Sequence, residues 1–166
     1  MISDFPAILD ACVLVQAAVR DTLLRLYERR LFLARWTDEI IDEIVRTLQD
    51  KLGRTQEQTD YLVGELRAHF PDAWVEPSYQ ELIPVMTNHE KDRHVLAAAV
   101  KAPCEVIVTY NLKDFPGESI KPHGIEVKHP DEFLIDLYRI DSEMVASPAR
   151  CRVEKASQYC RSAAFT

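Results

Sequence analysis

The chain of 166 residues has no stretch approaching the ~18 consecutive apolar residues of a membrane-spanning helix. Its start, Met1-Ile2-Ser3-Asp4-Phe5-Pro6, lacks the basic opening and apolar centre of a secretory signal, so a cytoplasmic protein is the expectation. Cysteine is sparse, at four residues, and no two of them have C-x-x-C spacing. That argues against a structural zinc site, and a reducing compartment argues against disulfides. Basic charge is also short: 20 Lys and Arg stand against 27 Asp and Glu, for a net charge of −7. A broad basic surface for coating nucleic acid is thereby excluded. An enzyme that grips a phosphodiester through metal ions is not, because such a site is itself acidic and the cations supply the positive charge. Internal repeats and low-complexity tracts are absent.

What is present suits one globular domain, with 47% hydrophobic residues available for a core. Apolar runs at about 7–13 and 104–109 read as buried parallel strands, and 125–128 as a shorter one. An amphipathic helix carrying Val19, Leu23, Leu24, Leu26 and Tyr27 follows the first run. Helices are expected over about 37–51, with Thr37 as N-cap and Gly53 just past the end, over about 56–69, over about 92–101, and from Pro130 to about Tyr138. Residues 71–88 are ambiguous, because Pro77 interrupts them while Tyr79, Leu82, Ile83 and Met86 keep helical spacing. Strands alternating with helices imply an α/β fold around a parallel sheet. The core domain is placed at 1–138. The polar segment 139–166, with Pro148 and no strand pattern, reads as a C-terminal helical tail.

Candidate chemistry is carried by acids. Asp10 interrupts the run Ala7-Ile8-Leu9-Asp10-Ala11-Cys12-Val13. A carboxylate there is costly unless it is paired, hydrogen-bonded or metal-bound, and ligand sites in open α/β sheets form at the carboxyl ends of strands. Asp92 falls on the same helical stripe as Val95, Leu96, Ala99 and Val100, one turn earlier, so it faces inward; stabilisation of the helix dipole is the competing explanation. Glu43 lies off the stripe of Ile40, Ile41, Ile44 and Leu48, and periodicity alone makes it a solvated acid. In Thr109-Tyr110-Asn111-Leu112-Lys113-Asp114-Phe115, a polar cluster follows a buried strand. Thr109 and Asn111 are placed to orient a water or a phosphate oxygen, against ordinary turn chemistry as the alternative. His94 falls on the outer side of its helix and reads as a surface residue. Oxygen donors of this kind suit Mg²⁺ or Mn²⁺ rather than zinc.

Taken in order and spacing, Ile8-Leu9-Asp10-Ala11-Cys12, Glu43 in a helix, Lys91-Asp92-Arg93-His94-Val95-Leu96-Ala97-Ala98-Ala99 and Val108-Thr109-Tyr110-Asn111-Leu112-Lys113-Asp114-Phe115 resemble the PIN-domain family over about residues 5–138. The resemblance implies an α/β/α sandwich and a Mg²⁺- or Mn²⁺-dependent endoribonuclease, similar to VapC-type toxins of toxin–antitoxin pairs. It implies an RNA substrate, a VapB-type antitoxin partner and a homodimer. It assigns Asp10, Glu43 and Asp92 as metal-coordinating acids, with Thr109 and Asn111 beside them, and leaves Arg93 and Lys113 as phosphate contacts. Many members carry an acid where this chain has Asn111, and Asp114 is the candidate to replace that charge. A catalytically weakened RNA- or protein-binding module is the alternative. A receiver-like phosphoacceptor fold fits poorly, because 37–70 reads as consecutive helices.

Overall fold

The structure, a computed structural model, describes residues 4–142. Its spine is strand β1 (Pro6–Leu9), whose Ala7, Ile8 and Leu9 are fully buried. β1 pairs in parallel with β2 (Leu33–Arg35) on one side and with β3 (Val106–Val108) on the other. β4 (Glu126–Lys128) adds in parallel to the far side of β3. The order β2-β1-β3-β4 means that the chain leaves β1 in one direction to form β2 and later returns to build on the opposite side. The point of reversal lies between the carboxyl ends of β1 and β3, and it is there that open α/β sheets leave a crevice. Helices flank the sheet: α1 (Ala11–Leu14), α2 (Ala17–Glu28), α3 (Asp38–Leu52), α4 (Gln56–His69), α5 (Arg93–Lys101), α6 (Gly117–Ile120) and α7 (Pro130–Ile140). The α/β architecture expected from the sequence is the one found.

Several boundaries differ. The first strand stops at Leu9 rather than running to residue 13, because Asp10 caps α1: its Oδ1 accepts the Ala11 N–H at 2.7 Å. Val13 and Leu14 are therefore buried on a helix rather than on a strand. β2 has three residues, too short for alternation to register. The ambiguous segment forms 3₁₀ turns over Pro71–Ala73 and Pro77–Val85. Between them Trp36 and Trp74 form an isolated parallel bridge, with Trp36 donating to the Ala73 carbonyl and Val75 to the Trp36 carbonyl. That contact covers one end of the exposed side of β2. α7 runs two residues past Tyr138, and the remainder of the expected tail, from residue 143 onward, lies outside the described residues together with Cys151 and Cys160.

Thr37 starts α3, its Oγ1 accepting the Ile40 N–H at 3.1 Å, and Gly53 ends the helix in the left-handed conformation (φ 61°). Ile40, Ile41, Ile44 and Leu48 bury one face of α3, while the adjoining face, Glu43-Thr47-Lys51, borders open space at the sheet's carboxyl end. α4 begins with a capping box at Thr55 and buries only Thr59 and Leu66. Thr59 holds the N-terminal half to α3, its Oγ1 accepting from Gln49 Nε2 at 2.9 Å. α5 is covered twice, by the sheet and by the Pro77–Val85 turn, and six successive residues from His94 to Ala99 are buried.

The Thr37 hydroxyl has no substitute in reach of the orphan N–H groups of α3. Thr37→Ala is expected to cost about 1 kcal/mol of stability, read as a lower denaturation midpoint with an unchanged urea m-value. An unaltered midpoint would show that the cap carries no weight.

Candidate active site

Asp10 sits at the end of β1 and is 3% exposed. Its Oδ2 accepts from Thr109 Oγ1 at 2.7 Å and from Cys12 Sγ at 3.3 Å, in addition to the Ala11 N–H on Oδ1. The Asp10 backbone N–H continues the ladder to the Val108 carbonyl. Both lone pairs of Oδ2 are thereby engaged, and Oδ1 keeps one beyond its bond to Ala11. Thr109, fully buried behind Asp10, also accepts the Asn111 N–H at 3.0 Å, and Tyr110 N–H reaches Cys12 Sγ at 3.4 Å. The two strand ends are thus stitched together by side chains. Burial, with the Asp10 charge adding to it, pushes the Cys12 thiol up to about 11, so it packs and hydrogen-bonds as a neutral thiol.

Asp92 closes the 3₁₀ turn Glu90–Asp92 and precedes α5. Its side chain makes no cap bond to α5 although it stands at the N-cap position. Burial first, then the charges of Asp10 and Asp114 and a hydrogen bond shared with Asp114, raise its carboxyl from 3.8 to about 6. A carboxylate held near two others by the fold adds their repulsion to the effect of burial. Asp10, Glu43, Asp92 and Asn111 line one cavity of 340 Å³ together with Cys12, Val15, Gln16, Thr47 and Lys51. Four of the five residues singled out in the sequence therefore share a wall, and Thr109 stands directly behind Asp10.

Arg93 and Lys113 are not lining residues. Arg93 Nε donates to the Asn88 carbonyl at 3.2 Å, and Lys113 is exposed on the turn Leu112–Asp114. Among the described residues, one set of three metal-ligating side chains lies close-knit: His89, Asp92 and Asp114, whose ligand atoms are all within 4.8 Å of one another. Asp10 and Glu43 line the cavity with Asp92. Carboxylates on a shared open wall suit a hard cation that keeps part of its water shell and takes only some of its ligands from protein. Oxygen donors predominate, as Mg²⁺ and Mn²⁺ require.

His94 is corrected by the structure. It is 5% exposed, because the outer side of α5 is roofed by Pro77–Val85 and is not solvent. Its Nε2 lies 3.0 Å from Glu43 Oε1 and its Nδ1 3.8 Å from Glu39 Oε2. Both contacts are ion pairs when the imidazole is protonated. Burial pulls the imidazole pKa down, but Glu43 first, and the Glu39 and Asp10 charges after it, more than offset this and leave it raised. Tyr79 Oη in turn donates to Glu39 Oε2 at 3.1 Å. Glu43 is thus fixed from α5, not by its own helix periodicity. His89 and Lys51 were also missed. For Lys51 a signal existed in the i, i+4 series Glu43-Thr47-Lys51; for His89 only its three-residue spacing from Asp92 did.

A PIN-domain family model matches residues 6–113, more than half of the chain. The chain belongs to the PIN-domain family. Over 58 residues it is 60% identical to the putative ribonuclease VapC50 of Mycobacterium tuberculosis, a stretch that covers 35% of this chain and 34% of that protein. The chain thus matches about a third of the length of that curated relative. β4 and α7 of this PIN domain lie beyond the matched family segment and complete the sheet and its cover.

A carboxyl whose pKa is higher in the fold than in the open chain binds protons preferentially when folded. Its contribution to stability therefore falls as pH rises from 3.8 to about 6. The raised His94 acts in the same direction at higher pH, from its ordinary 6.5 upward. Asp92→Asn is expected to flatten the lower part of the stability–pH curve and to raise the melting temperature of the metal-free protein at pH 7. Parallel wild-type and variant curves in thermal melts between pH 4 and 8 would contradict the assigned repulsion.

Proposed function

We propose that this PIN-domain protein is a Mg²⁺- or Mn²⁺-dependent endoribonuclease hydrolysing phosphodiester bonds in single-stranded or loop RNA, and the toxin of a VapBC-type pair. The observation that carries the reading is the convergence of Asp10, Glu43 and Asp92, from three separate elements, on one cavity at the reversal point of the sheet. The partial likeness to a putative VapC ribonuclease supports RNA as substrate and a VapB-type antitoxin as partner. A homodimer in the cytoplasm accompanies that assignment. Among the described residues no helix is long and apolar enough to cross a membrane.

A hard cation at such a site supplies Lewis acidity toward a phosphoryl oxygen and makes water acidic enough to attack near neutral pH. Asp10, Asp92 and Glu43 hold it. Thr109 is a positioning residue: its hydroxyl fixes the rotamer of Asp10 through Oδ2, and the remaining lone pair, on Oδ1, would be the one available to a cation. Asn111 offers a neutral amide at the cavity wall, and Asp114, clustered with Asp92 and His89, adds a carboxyl group in place of the acid that 111 lacks. That compensation favours an active enzyme over a weakened binding module. Lys51, on the α3 wall, meets a non-bridging phosphate oxygen, and Arg93 and Lys113, neighbours in sequence of Asp92 and Asp114, make salt-sensitive contacts to the flanking backbone.

Purified protein is expected to cut RNA with Mg²⁺ or Mn²⁺ and to stop on chelation. Asp10→Asn and Asp92→Asn reduce cleavage to background while remaining folded. Thr109→Val, which keeps shape and removes the bond to Asp10, lowers the rate about 10–100-fold, as loss of an outer-shell partner does. Undiminished cleavage by clean Asp92→Asn protein would overturn the reading.

A further inference from the structure

A second cavity adjoins the acidic one. It has a volume of 690 Å³ and lies between the start of α2, the end of α3 and the N-terminal half of α4. Val15 and Gln16 belong to both cavities, so the two share a wall. Leu48, Leu52 and Leu62 supply an apolar lining. Tyr61, 70% exposed, and Leu52, 56% exposed, stand at its mouth, which leaves the tyrosine ring open to a stacking partner. Two guanidiniums line it, those of Arg20 and Arg54. Arg20 is anchored through Nη1 to the Leu14 carbonyl at 2.6 Å and feels the like charge of Arg54. Side-chain amides of Gln16 and Gln58, the Thr59 hydroxyl and one carboxylate, that of Glu65, complete the polar lining, so the two guanidiniums outnumber the acid. Gln16 Oε1 accepts from Tyr110 Oη at 3.2 Å, a bond that leaves the amide nitrogen to donate elsewhere.

We infer that this cavity is a nucleobase subsite, taking an unpaired base of the RNA strand whose scissile phosphate lies at the acidic cavity. The inference rests on the nuclease reading above and adds to it where the strand goes. An apolar slot with a tyrosine ring at its mouth suits the faces of a base, and amides suit its polar edge. In a chain of net charge −7, paired arginines next to a carboxylate centre mark a place for a polyanion on its way out of that centre. Continuity decides for a nucleotide: a strand held among Asp10, Glu43 and Asp92 that leaves past Val15 and Gln16 brings its neighbouring base directly over the slot. The size falls in the range of pockets that enclose small ligands, ~300–1,000 Å³.

The test uses a labelled single-stranded RNA oligonucleotide that the wild-type protein cuts, and a series carrying one abasic nucleotide at each position around the cut. Tyr61→Ala is expected to raise KM about tenfold, the effect of losing one base–aromatic stack, while kcat stays unchanged. Arg54→Ala lowers the slope of log affinity against log salt by about one. In the wild type one abasic position raises KM by a similar factor, and in Tyr61→Ala the same position has no further effect. Circular dichroism checks that both exposed-site variants stay folded. If Tyr61→Ala and every abasic position act independently, or KM does not move, the slot serves a protein segment instead and the subsite is overturned while the nuclease reading stands. If the wild type cuts no RNA with Mn²⁺, both are overturned.

Discussion

The bond between Thr109 Oγ1 and Asp10 Oδ2, 2.7 Å long and spanning 99 residues of chain, is the constraint on which the rest of the site depends. It exists because β1 and β3 are neighbours in register, with Leu9 opposite Val108, so that the next residue of each strand emerges at the same height. The sheet's reversal between these two strands opens the crevice, and the short helix α1 starts at once because Asp10 caps it. One carboxylate thus ends a strand, begins a helix and faces the cavity. Its burial is tolerable because every inward-facing lone pair has a donor. What remains uncompensated is charge, and it adds to burial, the larger cause, in raising the pKa of Asp92.

A second layer of organisation runs through α5. Its alanine-rich sequence lets it lie close to the sheet, and the Pro77–Val85 turn closes over its back. His94 is enclosed between these layers with a carboxylate facing each ring nitrogen. Asp92, two residues earlier, and Glu43, across on α3, are therefore set relative to each other by a rigid wedge. A charge cluster assembled from three elements needs such a wedge, since mutual repulsion otherwise drives the elements apart.

Much of this was readable from residue order. The apolar runs around Ile8 and Ile107, the Thr37 and Gly53 helix limits and the inward stripe of Asp92 all follow from local rules, because each depends on a few neighbours in sequence. Glu43 was legible only through its likeness to a family, since its placement depends on where α3 meets the sheet's mouth. His94 was misplaced for the same kind of reason: periodicity identifies one buried face, and a helix roofed on its far side has two. β2 was missed because three residues leave no period to detect. His89 draws its interest from Asp114, twenty-five positions away in sequence, and carries almost no local signal.

The edges of the sheet bear on how copies of the chain can meet. On one side the backbone of Ala73 and Val75 occupies the hydrogen-bonding groups of Trp36, the residue next to β2. On the other, β4 is three residues long, and its Lys128 is tied to Glu126 and Asp136. Neither margin offers a long bare ribbon of amides and carbonyls. Self-association by extending the sheet into a second molecule is therefore discouraged at both ends, and any symmetric pairing must be built from helical surfaces.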